Sequence, residues 1–530
     1  MIGILIVLFL AAWAFYTARL IKNSIHMLQL NSYRTERYWK WMVSHKEKAF
    51  PFQSLVPLLA FLPLLFQSEF FALLFGIVIF GLSAYFMEEE KEKKKLVFTP
   101  RVKRLLVTTG ILFVLTAVIG LWVGIGEART IGWFLILTII STILVYFYTM
   151  VANVINWPLE MQINQYYFHD AEKIIKQMPS LEVIGVTGSY GKTSTKHILE
   201  TVLSSQFNVL MTPESYNTKM GVTKTIRTML KPYHDIFIAE MGAKQEHDIQ
   251  DICELVHQKY GILTAVGEQH LETFKTLDNI KKTKFELIET LPHDGTAFLN
   301  KDDQNIMSYQ QRNQCRTMYY GIDSVDLHYR AADISYSSKG SQFTVYKYDG
   351  TSIQIQTKLL GRHNIYNILA AIAMASEKGI SFEKIARAVK QVAPVEHRLE
   401  LKKPSGNITI VDDSFNSNPV GAKMALEVLN DMPEYKILVT PGMIELGEKE
   451  YELNKAFAEH AATVCDFIIL VGKKQTEPLQ EGLAAKGREE DSYYVADDLQ
   501  DALDKMNQVA TQNLSSSWKM IYLIRLTSEK

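Results

Sequence analysis

The 530-residue sequence has few cysteines and no excess of either charge. Cys253, Cys315 and Cys465 lie far apart and form no CxxC pair, which argues against a zinc ribbon or a disulfide framework. We expect each to be a small buried residue in a reducing compartment. The net charge is −1, from 56 basic and 57 acidic residues, and nothing in it indicates a nucleic-acid partner.

Long apolar runs are confined to the first 155 residues. The run Met1–Ile21 lacks the preceding basic residues and the following cleavage site of a signal peptide, so it predicts a retained spanning helix. Four more apolar runs bring the predicted number of spans to five. These runs are Leu55–Phe66, Phe70–Phe86, Leu105–Ile125 and Ile131–Ile155.

The loops between these runs differ in charge. Residues 22–52 hold six Lys or Arg and residues 87–104 hold seven, whereas residues 67–69 hold none and 126–130 hold one. Because basic loops stay cytoplasmic, we predict an external N-terminus and a cytoplasmic location for everything after residue 155. No run holds a charge pair of the kind that marks transport. The region is therefore either a plain anchor or a domain that binds a lipid-linked substrate.

A phosphate-binding element is predicted next. The β-branched run Leu181–Thr187 predicts a buried strand, and it is followed by Gly188-Ser189-Tyr190-Gly191-Lys192-Thr193 and a helical pattern. Glycines let backbone N–H groups turn toward an anion that the helix N-terminus also favours. We predict that Lys192 reaches the β- and γ-phosphates of a nucleotide and that Thr193 ligates Mg²⁺. Val186 stands where the standard Walker pattern has glycine.

The string GVTGSYGKTSTK, residues 185–196, resembles the ATP loop of the Mur ligases of bacterial cell-wall synthesis, and is most similar to the MurF branch. Further family motifs follow in the family's order, over about residues 180–450. The resemblance implies an ATP-dependent carboxylate–amine ligase with a P-loop α/β ATPase domain and a smaller Rossmann-like C-terminal domain. It also implies that the loop residues bind ATP: Gly188, Ser189, Tyr190, Gly191, Lys192, Thr193 and Ser194.

The same resemblance implies a metal site. Glu240 ends the apolar run Ile236–Glu240 and matches the family's metal-binding glutamate. His270 matches the histidine of a second metal, and Lys284 matches a lysine that is carbamylated in the family. Two Mg²⁺ ions held by Thr193, Glu240, His270 and carbamylated Lys284 are thus implied. Lys281 and Lys282 are neighbours on the same predicted helix, so the alignment leaves the modified lysine open by a few positions.

Three residues beyond the loop complete the implied ATP site. Asn364, in LGRHNIYNILAA, resembles the asparagine that contacts adenine. Arg398, in EHRLE, matches the arginine at the γ-phosphate, and Asp413, in DDSFNSNP, matches the aspartate that binds the ribose. The last two belong to the third domain, so domain closure is expected to assemble the site.

The sequence departs from the MurF pattern on the substrate side. Membrane runs replace the domain that grips the UDP-sugar peptide, and the four-cysteine ribbon of the branch that amidates lipid-linked precursors is absent. Gly442 replaces the aspartate of GDMxELG, and Asn454 stands where histidine is usual. Ser215 and Thr218 replace asparagines in TPESYNTKMG. The ATP machinery is therefore expected to be retained and the amine side to be changed.

These patterns together predict four segments: a transmembrane domain (1–155), a linker (156–177), a central ATP-binding domain (178–393) and a C-terminal ligase domain (394–530). Alternating apolar residues around Asp349-Gly350 predict a hairpin added to the central domain.

The predicted function is amide ligation through an acyl phosphate, at the inner face of a bacterial cytoplasmic membrane, on a cell-wall precursor or related peptide. One alternative is synthesis of a capsule polymer or secreted peptide, as by the poly-γ-glutamate synthases. Another is a non-catalytic, ATP-binding membrane sensor.

Overall fold

The computed structural model describes residues 2–524 apart from several short segments. The segments not described are 51–55, 60–61, 66–67, 88–94, 124–129, 215, 270, 338–339, 394–399, 402–407, 414–418, 431–434, 445, 447–448 and 513–518. The chain divides into two compact units, and the second begins at Tyr167. This boundary falls inside the segment expected to be a linker.

The first unit is helical. Its helices are α1 (Ile2–Leu30), α2 (Thr35–Ser44), α3 (Lys46–Ala49), α4 (Leu62–Leu65), α5 (Glu69–Tyr85), α6 (Pro100–Val123), α7 (Thr130–Ile143) and α8 (Val145–Lys176), the last of which continues into the second unit.

Several helices of the first unit have the length and composition of membrane spans. Among the described residues two qualify, Gly3–Leu30 and Pro100–Val123, and the bent pair α7–α8 makes a third if it is counted as one span. Helix α5 is apolar but has only 17 residues. The run Leu55–Phe66 lies partly outside the described residues, so the number of five spans stays a prediction. Two or three long apolar helices are consistent with anchoring in a membrane.

The run Ile131–Ile155 is not the single straight span that we expected. The helix is interrupted at Leu144, and the axes of α7 and α8 meet there at an angle of 78°. Just before the break, the hydroxyls of Ser141 and Thr142 donate to the carbonyl oxygen of Thr138, at 2.8 and 2.9 Å. Such back-bonding competes with the helical ladder and bends helices. Helix α8 continues to Lys176 and so includes most of the expected linker, 156–177.

A row of polar contacts joins α6 to α8. Arg104 Nε lies 2.7 Å from Glu160 Oε1, Thr108 donates to Asn156 at 2.9 Å, and the Thr116 and Tyr148 hydroxyls are 2.8 Å apart. The numbers fall along α8 as they rise along α6, so the two helices are antiparallel. The Glu160 side chain is only 7% exposed. A buried carboxylate requires a partner of this kind.

The second unit contains two sheets. The nine strands of the first are β1 (Glu182–Thr187), β2 (Val209–Met211), β3 (Ile236–Glu240), β4 (Tyr260–Leu263), β5 (Thr296–Asn300), β6 (Arg316–Gly321), β7 (Tyr329–Ser337), β8 (Gly340–Lys347) and β9 (Ser352–Thr357). Its helices are α9 (Lys192–Leu203), α10 (Lys219–Met229), α11 (Asp248–Val256), α12 (Leu271–Phe274), α13 (Leu277–Glu289), α14 (Gln304–Met307), α15 (Arg362–Glu377) and α16 (Phe382–Gln391).

The nine-stranded sheet has the order β2-β3-β1-β4-β5-β6-β7-β8-β9. The first six strands in this order, from β2 to β6 and including β1, are parallel to one another. Strand β1 lies between β3 and β4, and nearly all its side chains are buried. Adjacent parallel strands end at the same edge, so the segments after β1, β3 and β4 are brought together. The predicted hairpin is confirmed, since β8 and β9 pair antiparallel and Tyr346 faces Ser352.

The C-terminal sheet has six strands in the order β10-β11-β15-β12-β13-β14. These are β10 (Glu400–Leu401), β11 (Ile408–Asp413), β12 (Tyr435–Thr440), β13 (Phe467–Val471), β14 (Tyr493–Ala496) and β15 (Lys519–Ile524). All are parallel to their neighbours except β10. Four helices complete this part: α17 (Pro419–Asn430), α18 (Glu450–Val464), α19 (Glu477–Ala485) and α20 (Leu499–Gln512). The predicted fold class, apolar helices followed by two α/β parts, is confirmed.

The α6–α8 contact generates a stability prediction. Glu160→Gln should lower the unfolding free energy by about 1–3 kcal/mol, because it leaves the Arg104 guanidinium without its carboxylate. The measurement is the thermal unfolding of the full chain in detergent. Glu36→Gln, at an exposed position on α2, is the matched control and should leave the midpoint unchanged. Equal midpoints for both variants would contradict a stabilising role for the pair.

Candidate active site

The loop between β1 and α9 is held against the segment that follows β4. The Ser189 backbone N–H donates to the carbonyl oxygen of Ala265 at 2.8 Å, and the Ser189 hydroxyl lies 3.0 Å from both the N and O atoms of Gly267. The Tyr190 hydroxyl donates to the carbonyl oxygen of Glu268 at 2.9 Å. These contacts hold the loop against the segment that follows β4.

Gly191 makes the turn from this loop into α9. Its φ is +81°, which favours glycine, and an added Cβ would lie 2.5 Å from Asn367 Oδ1. Helix α9 begins at the next residue, Lys192, so its N-terminal N–H groups face the loop. An anion is favoured at such a position.

Glu240 lies at the end of β3 and is completely buried. Its Oε1 accepts hydrogen bonds from the Thr193 hydroxyl at 3.1 Å and from Asn217 Nδ2 at 3.0 Å. Its Oε2 lies 3.0 Å from Nζ of Lys196, whose side chain is also completely buried. Groups from α9, β3 and the loop before α10 therefore meet at one carboxylate.

The electrostatic surroundings keep this carboxylate ionised. Burial by itself would raise the pKa of Glu240, but the charges of Lys196 and Lys192 and the hydrogen bond from Asn217 outweigh it and leave the pKa below its usual value. An ionised carboxylate with hydroxyl and amide neighbours is an oxygen-rich environment suited to a hard cation.

Lys284 has the opposite shift. It is 3% exposed, and burial, with a smaller contribution from the charge of Lys192, lowers its pKa to about 7. Of the three lysines that the sequence left open, Lys282 is exposed and Lys281 lies 3.5 Å from an Asp278 carboxylate oxygen. Of these three lysines, Lys284 alone is buried.

Asn364 lies in the first turn of α15 and connects to the loop through two side chains. Its Nδ2 donates to the carbonyl oxygen of Leu360 at 2.8 Å, and its Oδ1 lies 3.4 Å from Asn367 Nδ2. Asn367 Oδ1 in turn accepts from the Thr195 hydroxyl on α9 at 3.0 Å. The first turn of α15 is thus tied to the phosphate-loop helix.

The structure brings together part of the predicted site. The loop, Thr193, Glu240, Lys284 and Asn364 all belong to the first sheet and its helices. His270 and Arg398 lie outside the described residues, and Asp413 is placed as the last residue of β11 without a description of its side chain.

Two residues at the centre had no predicted role. Lys196 and Asn217 contact Glu240, although the motifs in which they lie predicted no role for either. A signal for Lys196 existed, because it lies four residues after Lys192 and therefore on the same helix face. A charged side chain on the face of a helix that packs against a sheet requires a buried partner.

Among the described residues, no group of three or more His, Cys, Asp or Glu side chains could by itself hold a metal ion. Thr193 and Glu240 nevertheless place two oxygen atoms 3.1 Å apart beside the loop. Mg²⁺ usually keeps several waters and takes one or two carboxylates together with substrate phosphates. These residues fit a magnesium ion that arrives with a nucleotide.

The two unusual residues of the C-terminal part contact each other. Gly442 has a φ of +88°, and an added Cβ would lie 3.0 Å from Asn454 Oδ1. Asn454 is buried, accepts from the Met443 N–H at 2.8 Å and donates to the Met443 carbonyl at 2.9 Å. The amide side chain of Asn454 therefore fixes the turn in which Gly442 lies.

Comparison with known families decides the class. The Mur ligase middle domain matches residues 186–375, and the glutamate ligase domain of Mur ligases matches residues 397–515, so the two together cover more than half of the chain. The chain belongs to the Mur ligase family. It is an ATP-dependent carboxylate–amine ligase, and the family's cofactors are ATP and Mg²⁺.

The curated relatives of this Mur ligase include UDP-N-acetylmuramoyl-tripeptide–D-alanyl-D-alanine ligases. The Escherichia coli (strain K12) protein is 29% identical over 332 residues, which are 61% of this chain and 73% of that protein. The Bacillus subtilis (strain 168) protein is 31% identical over 275 residues, 52% of this chain and 58% of that protein. The chain therefore spans only part of each relative.

Solved structures show the same fold. A MurF from Acinetobacter baumannii superposes with a TM-score of 0.61 at 23% identity, over 68% of this chain and 77% of that one. The MurF ligase from Thermotoga maritima in complex with ADP gives a TM-score of 0.60 at 23% identity, over 68% and 80%.

The loop geometry yields a binding prediction. Gly191→Ala should reduce affinity for ATP at least tenfold, because a side chain at φ +81° costs about 1–2 kcal/mol and would also displace Asn367. Isothermal titration of the full chain with a slowly hydrolysed ATP analogue measures this. Gly350→Ala is the matched control, since Gly350 has a φ of +85° but open space at its Cβ. It should bind nucleotide normally, and a similar loss in both variants would mean that general destabilisation is the cause.

Proposed function

We propose that the protein is a membrane-anchored Mur ligase that joins a carboxylate to an amine at the cytoplasmic face of a bacterial membrane. The observation that carries the proposal is the convergence of Thr193, Glu240 and a buried, easily deprotonated Lys284 beside a glycine loop. The apolar helices ahead of this site supply the anchor. The basic loops at 22–52 and 87–104 favour the cytoplasmic orientation.

ATP binds along the loop from Gly188 to Ser194 in this proposal. The backbone N–H groups at the start of α9 face the phosphates, and Lys192 neutralises charge on the β- and γ-phosphates. Asn364 contacts the adenine. Arg398 and Asp413 come from the C-terminal part and contact the γ-phosphate and the ribose.

Lys284 is proposed to carry a carbamate. At a pKa of about 7 a large share of the amine is neutral near physiological pH, and a neutral amine can attack carbon dioxide. A nitrogen–carbon bond forms and a proton leaves, so a cation becomes an anion. Together with Thr193, Glu240 and His270, this carbamate would hold two Mg²⁺ ions, which supply charge neutralisation at the transferring phosphoryl group.

The reaction then has two steps. A substrate carboxylate oxygen attacks the γ-phosphorus, ADP leaves, and an acyl phosphate forms. The amine of the second substrate attacks the acyl carbon, phosphate leaves, and an amide remains after loss of a proton. Lys192 and Arg398 stabilise the charge in the first step. Neither step requires a nucleophilic side chain of the enzyme.

The carboxylate substrate is proposed to be a cell-wall precursor or a related peptide. The relatives' names support this class, because they describe ligation of D-alanyl-D-alanine to a UDP-N-acetylmuramoyl-tripeptide. The turn at Gly442 and Asn454 supports an amine different from that of the relatives. A capsule polymer or secreted peptide is the second candidate, favoured by the apolar helices that stand in place of a UDP-sugar domain.

The test is phosphate release from ATP by the full chain in detergent, with pools of UDP-linked peptides, lipid-linked peptides and free amino acids. We expect release that requires both a carboxylate and an amine, and loss of release in Lys192→Ala. A requirement for lipid-linked peptides would give the apolar helices a part in substrate binding. Tight ATP binding without stimulation by any pool would instead favour the capsule product or the non-catalytic sensor.

The carbamate leads to a separate prediction. Lys284→Ala should lose at least a thousandfold in turnover, and short carboxylic acids such as formate or acetate should restore part of it, because they replace the missing carboxylate-like ligand. Lys282→Ala, the exposed neighbour on α13, is the control and should keep normal turnover. The wild-type rate should also fall in buffer depleted of carbon dioxide. If neither rescue nor carbon dioxide dependence is seen, Lys284 is not carbamylated.

A further inference from the structure

Lys196 is a lysine whose side chain is fully buried within the ligase unit. Its Nζ lies 3.0 Å from Glu240 Oε2 and donates to the carbonyl oxygen of Glu214 at 2.7 Å. Burying an ammonium is costly unless it is paired, and an exposed position would avoid the cost. The two contacts therefore offset the cost of burying this side chain.

Because of the contact with Lys196, the two carboxylate oxygens of Glu240 have different neighbours. Oε2 faces the ammonium of Lys196, whereas Oε1 faces the Thr193 hydroxyl and Asn217 Nδ2. Oε1 accepts both hydrogen bonds, and Oε2 has only the ion pair with Lys196. Because Thr193 is itself a proposed Mg²⁺ ligand, its hydroxyl would turn its proton away from Oε1 when the metal binds. Oε1 is then the oxygen that a cation beside the loop reaches. The charge of Lys196 also lowers the pKa of Glu240 from the side of Oε2.

The contact of Lys196 with Glu214 positions the loop that carries Asn217, another neighbour of the Glu240 carboxylate. Glu214 has a φ of +44°, which is unusual for a residue with a side chain, and it lies in the loop that carries Asn217. The Asn217 carbonyl accepts from the Gly242 N–H at 2.7 Å, and the Asn217 side chain fills the space that a Cβ at Gly242 would need. Lys196 thus joins α9, the end of β3 and this loop through a single ammonium group.

We propose that Lys196 is a positioning residue for the magnesium carboxylate, which it fixes as a one-oxygen ligand through Oε1 of Glu240. The proposal rests on the metal role of Glu240 proposed above. Lys196 acts through Glu240 and does not itself touch the metal or the nucleotide. Its effect must therefore disappear when Glu240 can no longer act as a ligand.

The test is a double-mutant cycle read by binding of Mn²⁺, a spectroscopic substitute for Mg²⁺, to the full chain with a slowly hydrolysed ATP analogue. Electron paramagnetic resonance measures free and bound Mn²⁺ without any turnover. Lys196→Met should weaken Mn²⁺ at least tenfold, while affinity for the nucleotide in EDTA changes less than twofold. Lys390→Met, at an exposed position on α16, should change neither.

Glu240→Gln and the double variant separate the possible outcomes. We expect Glu240→Gln to weaken Mn²⁺ strongly and the double variant to bind it as Glu240→Gln does. The double variant also removes the unpaired buried charge that could unfold Lys196→Met. Additive losses, or unchanged Mn²⁺ affinity in Lys196→Met, would overturn the positioning role. If Glu240→Gln itself leaves Mn²⁺ binding unchanged, the proposed metal site fails, which is a distinct result.

Discussion

The buried carboxylate of Glu240 is the constraint on which the rest of the site depends. A carboxylate with no exposure is unstable in a protein interior unless cations and hydrogen-bond donors surround it. Three separate segments meet at this group: strand β3, which carries Glu240, helix α9, which supplies Thr193 and Lys196, and the loop before α10, which supplies Asn217. Each segment must therefore be in place before the charge is tolerated. The parallel pairing of β1 with β3 and β4 provides this arrangement, because all three strands end at the same edge.

Burial shifts the two central ionisable groups toward their neutral forms, but the neighbours decide the outcome. For Glu240 the nearby lysines outweigh burial, and the pKa falls below its usual value. For Lys284 burial is the largest effect, the charge of Lys192 adds to it, and the pKa falls to about 7. One site thus holds a carboxylate and an amine whose pKa values are both lowered. This combination suits a carboxylate ligand beside a lysine that gains a negative charge by reaction.

The helical unit and the C-terminal part differ from the ATP-binding part in how polar groups are used. Between α6 and α8 the polar side chains satisfy one another, as Arg104 and Glu160 do, and stabilise packing among apolar helices. In the C-terminal turn, the Asn454 side chain is hydrogen-bonded to the backbone of Met443 and Glu450. Around the glycine loop the contacts instead gather a hydroxyl, an amide and an ammonium group about one carboxylate, that of Glu240. The chain combines Mur ligase middle and C-terminal domains with apolar helices ahead of them.

Much of this protein could be predicted from short-range patterns. Strand β3 has the predicted bounds Ile236–Glu240, the phosphate loop lies between a buried strand and a helix, and the hairpin turns at Asp349-Gly350. These features depend on residue spacing and on the conformational preferences of glycine, which act locally. Membership of the Mur ligase family was also evident from the order of its motifs.

Other features required the tertiary structure, because they depend on residues that are distant along the chain. The bend at Leu144 and the continuation of α8 through the expected linker are set by hydroxyl bonds and packing that hydropathy does not record. The burial of Lys284 on the same helix as the exposed Lys282 is set by packing against other segments. The position of Lys196 beside Glu240 follows from the pairing of β1 with β3. Sequence determined which chemical groups the chain carries, and folding decided which of them share a low-dielectric site, where charge interactions are strong enough to set their function.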